Sequence, residues 1–161
     1  MRSEQKTIYA IDRYADMVRR ICFVHLKNAD DTEDIFQEVF LKYALHAVDF
    51  EDSAHEKAWL IRVTINACRD LLKNAFRSRT VSLEELIDLP SEERERHGEV
   101  LDAVLNLPKK YKDVVYLYYY EGYSAPEIAN ILGKNTNTIY TLLARARNQL
   151  KITLGGDCVG E

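Results

Sequence analysis

The chain has 161 residues, 47% of them hydrophobic and 30% charged, with a formal net charge of -4. Those values describe a soluble protein with enough apolar residues for real cores, arranged as one compact domain or two small helical ones. No stretch suits a membrane span, and the charged start Met1-Arg2-Ser3-Glu4-Gln5-Lys6 is not followed by an apolar run of signal-peptide length, so a cytoplasmic protein is expected.

Glycine is scarce and proline stands only at 90, 108 and 126, which leaves room for long uninterrupted helices and predicts an all-α fold. The first pattern runs from about Thr7 to Leu26, with Ile8, Ile11, Tyr14, Ala15, Val18, Ile21 and Cys22 recurring at three- and four-residue intervals. A break at Lys27-Asn28-Ala29-Asp30 precedes a second pattern from Thr32, the expected N-cap, to Ala47, in which Phe36, Val39, Phe40 and Tyr43 point inward together. A third helix is expected from about Ala54 to Arg77, carrying Trp59, Leu60, Val63, Ala67, Leu71 and Leu72. These three helices can share one core. The single tryptophan, Trp59, reads first as an anchor of that core.

Between Ser78 and Glu99 the periodicity fails, because Ser91-Glu92-Glu93-Arg94-Glu95-Arg96-His97-Gly98-Glu99 offers almost nothing to bury; an acidic linker is expected there. Beyond it, Val100 to Leu105 reads as a short helix, and Pro108 opens another at a first-turn position, where its missing N–H costs nothing. The run Val114-Val115-Tyr116-Leu117-Tyr118-Tyr119-Tyr120 has strand-favouring residues. It is nonetheless read as helix up to Gly122, because its neighbours are helical and a lone strand would leave its backbone groups unpaired.

Ser124-Ala125-Pro126-Glu127 has the spacing of a capping box, so a helix starts there. It ends at Gly133, a left-handed stop, and Asn135 is placed to cap the next helix, giving two helices joined by about three residues. In the second of them Ile139, Leu142, Leu143, Ala146 and Leu150 make an apolar face, which turns Asn137, Thr138, Tyr140, Thr141, Ala144, Arg145 and Asn148 to solvent. The arrangement is a helix-turn-helix. No acidic residue occurs from Lys134 to Lys151; small polar groups with Arg145 suit base edges, and Lys134, Arg147 and Lys151 suit phosphates. A packing module with a merely solvated basic face is the plainer reading of the same residues.

Catalytic chemistry finds no support: there is no glycine-rich nucleotide loop, and His25, His46, His55 and His97 are scattered. Cys22, Cys68 and Cys158 are odd in number and far apart, which argues against a disulfide framework or a zinc knuckle. Neither metal nor cofactor is expected.

On these residues the chain resembles the sigma-70 superfamily, specifically the compact extracytoplasmic-function (ECF) sigma factors that keep only the second and fourth conserved regions. The resemblance covers about Tyr14 to Lys151. It rests on Asp31 through Phe40, on Phe50, on Trp59 through Asp70, and on Leu107-Pro108, Glu121 through Ser124, Glu127-Ile128-Ala129, Leu132-Gly133, Thr138-Ile139 and Arg145-Ala146-Arg147. It implies region 2 over residues 1–79, a linker over 80–99, region 4 over 100–154 and a tail over 155–161. The implied partners are core RNA polymerase and promoter DNA, with control by an anti-sigma factor or by expression.

The same resemblance implies roles for individual residues. Asp34, Ile35, Gln37 and Glu38 are expected by the resemblance on the surface that meets the clamp helices of the polymerase's largest subunit, although the residues alone favour a merely solvated acidic surface. Phe50 to Lys57 is expected to form the loop that receives a flipped base of the minus-ten element, with Asn66 beside it. Arg62, Arg69, Lys73, Arg77 and Arg79 would then track the strand. Minus-thirty-five contacts fall at Tyr140, Thr141, Ala144 and Arg145, with Lys134, Asn135 and Thr138 near the DNA backbone. Tyr140 and Leu142 occupy positions where relatives often carry Arg, and Asn137 stands for a frequent Gly, so no promoter sequence is inherited. Two other classes fit part of the pattern: a free-standing helix-turn-helix regulator, and a protein-interaction module that mimics a sigma factor.

Overall fold

The structure, a computed structural model, describes residues 2–46, 48–78, 100 and 102–155, with backbone alone at 75–78. The chain divides into two compact units, Met1–Asp88 and Leu89–Glu161. The described elements are helical, so the all-α expectation holds. The acidic segment expected to link the two units, with Arg79, lies outside the described residues, as does Cys158.

The first unit packs three long helices against one another: α1, Glu4–Leu26; α2, Ala29–Leu45; and α3, Ser53–Ser78. Helix α1 begins three residues before the expected start because Ser3 caps it, its side chain accepting from the Lys6 N–H at 3.2 Å. Ile8, expected in the apolar stripe, is 47% exposed. It sits at the stripe's edge in the second turn, outside the core that Tyr14, Met17, Val18, Ile21 and Cys22 enter.

Lys27 takes the left-handed conformation, φ 56°, and so turns the chain out of α1 within one residue. Asn28 is then already the N-cap of α2, its Oδ1 accepting from the Asp31 N–H at 3.0 Å. Thr32, the expected cap, instead lies inside the helix, buried, and donates its hydroxyl to the Asn28 carbonyl at 2.7 Å. From α2 come Ile35, Val39, Phe40 and Tyr43, and from α3 Leu60, Ile61, Ile65 and Cys68, to complete the core.

In the second unit residues 102–105 are helical and lead to α4, Lys109–Val115. Pro108 is the cap of α4 and not a residue of its first turn: at φ -54° and ψ 149° it is extended, while its carbonyl accepts from the Tyr111 and Lys112 N–H groups at 2.9 and 3.0 Å. The tyrosine-rich run is helical as expected, but Tyr116–Tyr120 forms a π-helical turn, with Glu121 N–H donating to the Tyr116 carbonyl five residues back at 3.1 Å.

Gly122, at φ 79°, ends the run. Helix α5, Ala125–Leu132, follows under a complete capping box: Ser124 Oγ accepts from the Glu127 N–H at 3.3 Å, and Glu127 Oε1 from the Ser124 N–H at 3.0 Å. Gly133 closes it at φ 69°, and Asn135 caps α6, Thr136–Thr153. Leu117, Ile128, Ile139, Leu143 and Ala146 are buried, so the predicted core face of α6 holds.

Candidate nucleic-acid interface

Every fourth or third residue of α3 from Arg62 onward faces solvent. Arg62, Asn66, Arg69 and Lys73 are all exposed, while the intervening Leu60, Ile61, Thr64, Ile65, Ala67 and Cys68 are buried. That spacing sets the four on one side of the helix as a row of cations with a single amide among them. The side chain of Arg77, expected to extend the row, is not described.

At the N-terminal end of α3 the chain arrives through residues 48–52, and Asp52 Oδ1 accepts from the His55 N–H at 2.8 Å to start the helix. Phe50 is half-buried within an aromatic group: His46 stacks on it at 5.3 Å, Trp59 lies tilted at 5.5 Å and Tyr43 is near-parallel at 6.1 Å. The Arg2 guanidinium also sits over the Phe50 ring, 4.6 Å from its centroid. Phe50 therefore helps to build the loop from inside as well as lining its surface. Trp59, half-buried beside His46 at 4.8 Å, anchors the same group, as its residue type suggested.

The Tyr43 hydroxyl is held by Glu56, donating to Oε2 at 2.6 Å. Burial first, and then this bond to a carboxylate, push the Tyr43 phenol up to about 12. The loop and the start of α3 are thereby tied to the last turn of α2.

On α2 the residues expected to meet polymerase separate into two kinds. Asp34, Gln37 and Glu38 are exposed, Glu38 within 4.0 Å of Lys42 one turn on. Ile35 is only 4% exposed: it belongs to the core beneath that surface and cannot be part of it, because its neighbours on the helix stripe, Val39 and Phe40, are buried with it. Leu41 and Leu45, 60% and 58% exposed, continue the outward face that begins at Asp34 and Glu38. Sequence reasoning missed these two. The available signal was that the inward positions of α2 were already filled by 35, 39, 40 and 43, so leucines at 41 and 45 had to face out.

Helix α6 presents Asn137, Tyr140, Thr141, Ala144, Arg145 and Asn148 to solvent, with Tyr140 57% exposed. Lys134 and Asn135 are exposed just before it. The Asn135 side-chain Oδ1 is taken up by the cap, accepting from both the Thr138 N–H and hydroxyl at 2.8 Å, so its side-chain N–H groups are what it has left to offer a phosphate. Arg147 turns the other way from Arg145 and bonds the Tyr119 hydroxyl at 2.5 Å, which keeps it on the π-helical turn. Among the described residues no group of three His, Cys, Asp or Glu side chains is placed to hold a metal, and no helix is long and apolar enough to cross a membrane.

A helix-turn-helix in the second unit is an arrangement used to bind DNA, and comparison with known proteins gives the family. Residues 10–78 match Sigma-70 region 2, and residues 97–150 match Sigma-70, region 4. RNA polymerase sigma factor SigV of Bacillus subtilis is 34% identical over 139 residues, covering 84% of this chain and 82% of its own. ECF RNA polymerase sigma factor SigM of Mycobacterium tuberculosis is 30% identical over 155 residues, covering 91% and 78%. The chain belongs to the sigma-70 family, as an ECF-type RNA polymerase sigma factor that directs promoter-specific initiation.

Two solved structures share the fold. CnrH, in complex with the cytosolic domain of CnrY, aligns with a TM-score of 0.71 at 22% identity over 96% of this chain and 91% of that one. The sigma factor RpoE of Bartonella quintana, in complex with the anti-sigma factor NepR, aligns at 0.69 and 18% over 95% and 99%.

Proposed function

We propose that the two units divide promoter recognition by the state of the DNA. The first unit docks on core polymerase through Asp34, Gln37 and Glu38, with Leu41 and Leu45 extending the contact. Its α3 row, Arg62, Asn66, Arg69 and Lys73, holds the unpaired minus-ten strand while the short loop ending at Asp52, with the first turn of α3 in place of the longer loop expected to Lys57, receives an extruded base. The second unit reads the duplex minus-thirty-five element through Tyr140, Thr141, Ala144 and Arg145, with Lys134, Asn135 and Thr138 against the DNA backbone. The chain supplies binding energy, and the polymerase supplies catalysis. An anti-sigma factor is the regulator that fits best, since both structural relatives were solved with a bound partner, described as an anti-sigma factor for RpoE.

The observation that carries this reading is the α3 row. An arginine, an amide, an arginine and a lysine share one exposed helix side, which suits backbone tracking with a single hydrogen-bonding probe for a base edge. The net charge of -4 supports the reliance on polymerase, because local cationic faces on an acidic chain give little free affinity for duplex. Joined to the enzyme, both units engage one promoter, and the second contact becomes intramolecular.

Mobility shifts at matched salt test this. The chain alone should bind promoter DNA weakly and with steep salt dependence, and the chain with core enzyme tightly and specifically. Reversing Asp34 and Glu38 to Lys should abolish the polymerase-dependent complex, a loss of about a hundredfold or more from like-charge contacts. Tight specific binding by the isolated chain, indifferent to that reversal when polymerase is present, would instead describe a free-standing regulator.

A further inference from the structure

We infer that Arg2 is a positioning residue for base capture: its guanidinium clamps residues 48–52 onto the end of α2 and so holds the base-receiving loop in shape. The inference rests on the proposed role of that loop. Arg2 is a long, charged residue whose side chain is nevertheless only 7% exposed, and its polar contacts converge on one neighbourhood.

Nε donates to the Tyr43 carbonyl at 3.1 Å, Nη2 to the Val48 carbonyl at 2.7 Å, and Nη1 lies 3.7 Å from the Asp49 carboxylate. The Arg2 backbone N–H donates to the Ala44 carbonyl at 2.8 Å. The guanidinium plane also covers two rings, 4.7 Å from the Tyr43 centroid and 4.6 Å from that of Phe50.

Each contact has a structural reason. Tyr43 and Ala44 are in the last turn of α2, where the Tyr43 carbonyl also accepts from the His46 N–H at 3.2 Å, and Val48 is in the loop beyond. One guanidinium thus caps a helix end and fastens the following loop with the same fork, while its face carries the aromatic pair that sets where Phe50 lies. A groove of about 660 Å³ opens beside it, with Tyr9, Lys6, Asp52, Ser53 and Glu56 around its rim. Tyr9 offers an aromatic face, Lys6 a donor and the carboxylates of Asp52 and Glu56 acceptors, a lining that can stack on and hydrogen-bond an unpaired nucleobase. A lysine at position 2 keeps the charge but loses the planar fork, so it cannot serve both carbonyls and lie flat on both rings.

The test uses full-length protein reconstituted with core polymerase and a single-stranded oligonucleotide of the non-template minus-ten sequence, in which an abasic site is moved one position at a time. Wild-type holoenzyme should bind less well when the abasic site falls at the captured base. Arg2→Ala should weaken binding of the intact strand by about tenfold, the scale of lost charged hydrogen bonds, and erase the distinction at that one position while leaving affinity for core enzyme unchanged. Arg2→Lys should recover less than half of the loss.

Quenching of Trp59 by acrylamide, with far-ultraviolet circular dichroism unchanged, should report the loosened loop in Arg2→Ala directly. Retained abasic discrimination in Arg2→Ala, or full recovery by Arg2→Lys, would overturn the clamp. If wild-type holoenzyme itself ignores every abasic site, base capture by the loop fails, and the two failures are thereby told apart.

Discussion

The outward faces of α3 and α6 follow opposite plans. On α3 cations alternate with one amide along almost three turns, and the helix carries only the single acid Asp70 between Leu60 and Ser78. On α6 the middle of the face is neutral, Asn137, Tyr140, Thr141 and Ala144, with Arg145 as its cation and lysines at 134 and 151 towards its two ends. The first plan suits a strand whose charge is continuous and whose bases are turned out. The second suits a groove, where small polar groups meet base edges and charge is wanted only at the phosphate walls.

That contrast can be broken at its strongest point first. Arg145→Ala removes the one cation from the middle of the neutral face without touching the Ile139, Leu143 and Ala146 core. It should cost about 1–3 kcal/mol of promoter affinity on duplex DNA and leave polymerase binding intact. Equilibrium titration of holoenzyme on promoters altered one base pair at a time would show the loss confined to the minus-thirty-five element. An unfolded second unit would mean that Arg145 is structural.

Asn66→Ala sharpens the comparison from the other side. Loss of one hydrogen-bonding group should cost about 1 kcal/mol, and only after a base has left the stack. Opening rates, followed by permanganate reactivity, should fall on duplex template and recover largely on a pre-melted one. Equal defects on the two templates would remove Asn66 from strand capture.

The smallest effect concerns the frame that carries α6. Ser124→Ala removes one half of the capping box and should destabilise the second unit by about 1 kcal/mol in denaturant titration. Its partner Glu127 has its carboxyl held below the ordinary range by the Ser124 backbone N–H and then by the Ser124 hydroxyl. The folded state therefore binds this proton less readily than the unfolded one, so the contribution is complete above the usual carboxylate range and is lost as pH falls through the lowered value. Glu127→Gln should flatten that part of the stability profile; a profile unchanged by the substitution would exclude the cap as its source.

How far the sequence could be read followed the kind of signal each unit carries. The second unit is punctuated by residues with strong local rules, and Ser124, Glu127, Gly133 and Asn135 occupy the positions their chemistry predicts. Once those fix the helix ends, the inward and outward faces of α6 follow from the 3.6-residue period alone. The first unit announces itself by apolar spacing, which gives helices but not their ends. Asn28 could displace Thr32 as a cap because a lysine at 27 adopted the left-handed turn, a conformation no rule assigns to lysine.

Ile35 was misplaced for a related reason. The resemblance supplied a contiguous motif, and a helix distributes contiguous residues over both its faces. The Arg2 contacts were illegible altogether, since they join residues 41 to 46 positions apart through an irregular loop that periodicity does not describe.

The π-helical turn at Tyr116–Tyr120 bears on how such chains are compared. An α-helix accommodates one surplus residue by widening a single turn, so the hydrogen-bond ladder resumes without the flanking contacts being rebuilt. Here the widened turn lies between Val114, fixed in the core, and Gly122, where the chain reverses before the Ser124 cap. A chain with one residue fewer over this stretch would close the turn to ordinary pitch and still deliver the cap. A one-position gap at this point of an alignment would thus record a change of helical pitch, not a lost element, and counting residues across it would shift every number assigned to the reading helix by one.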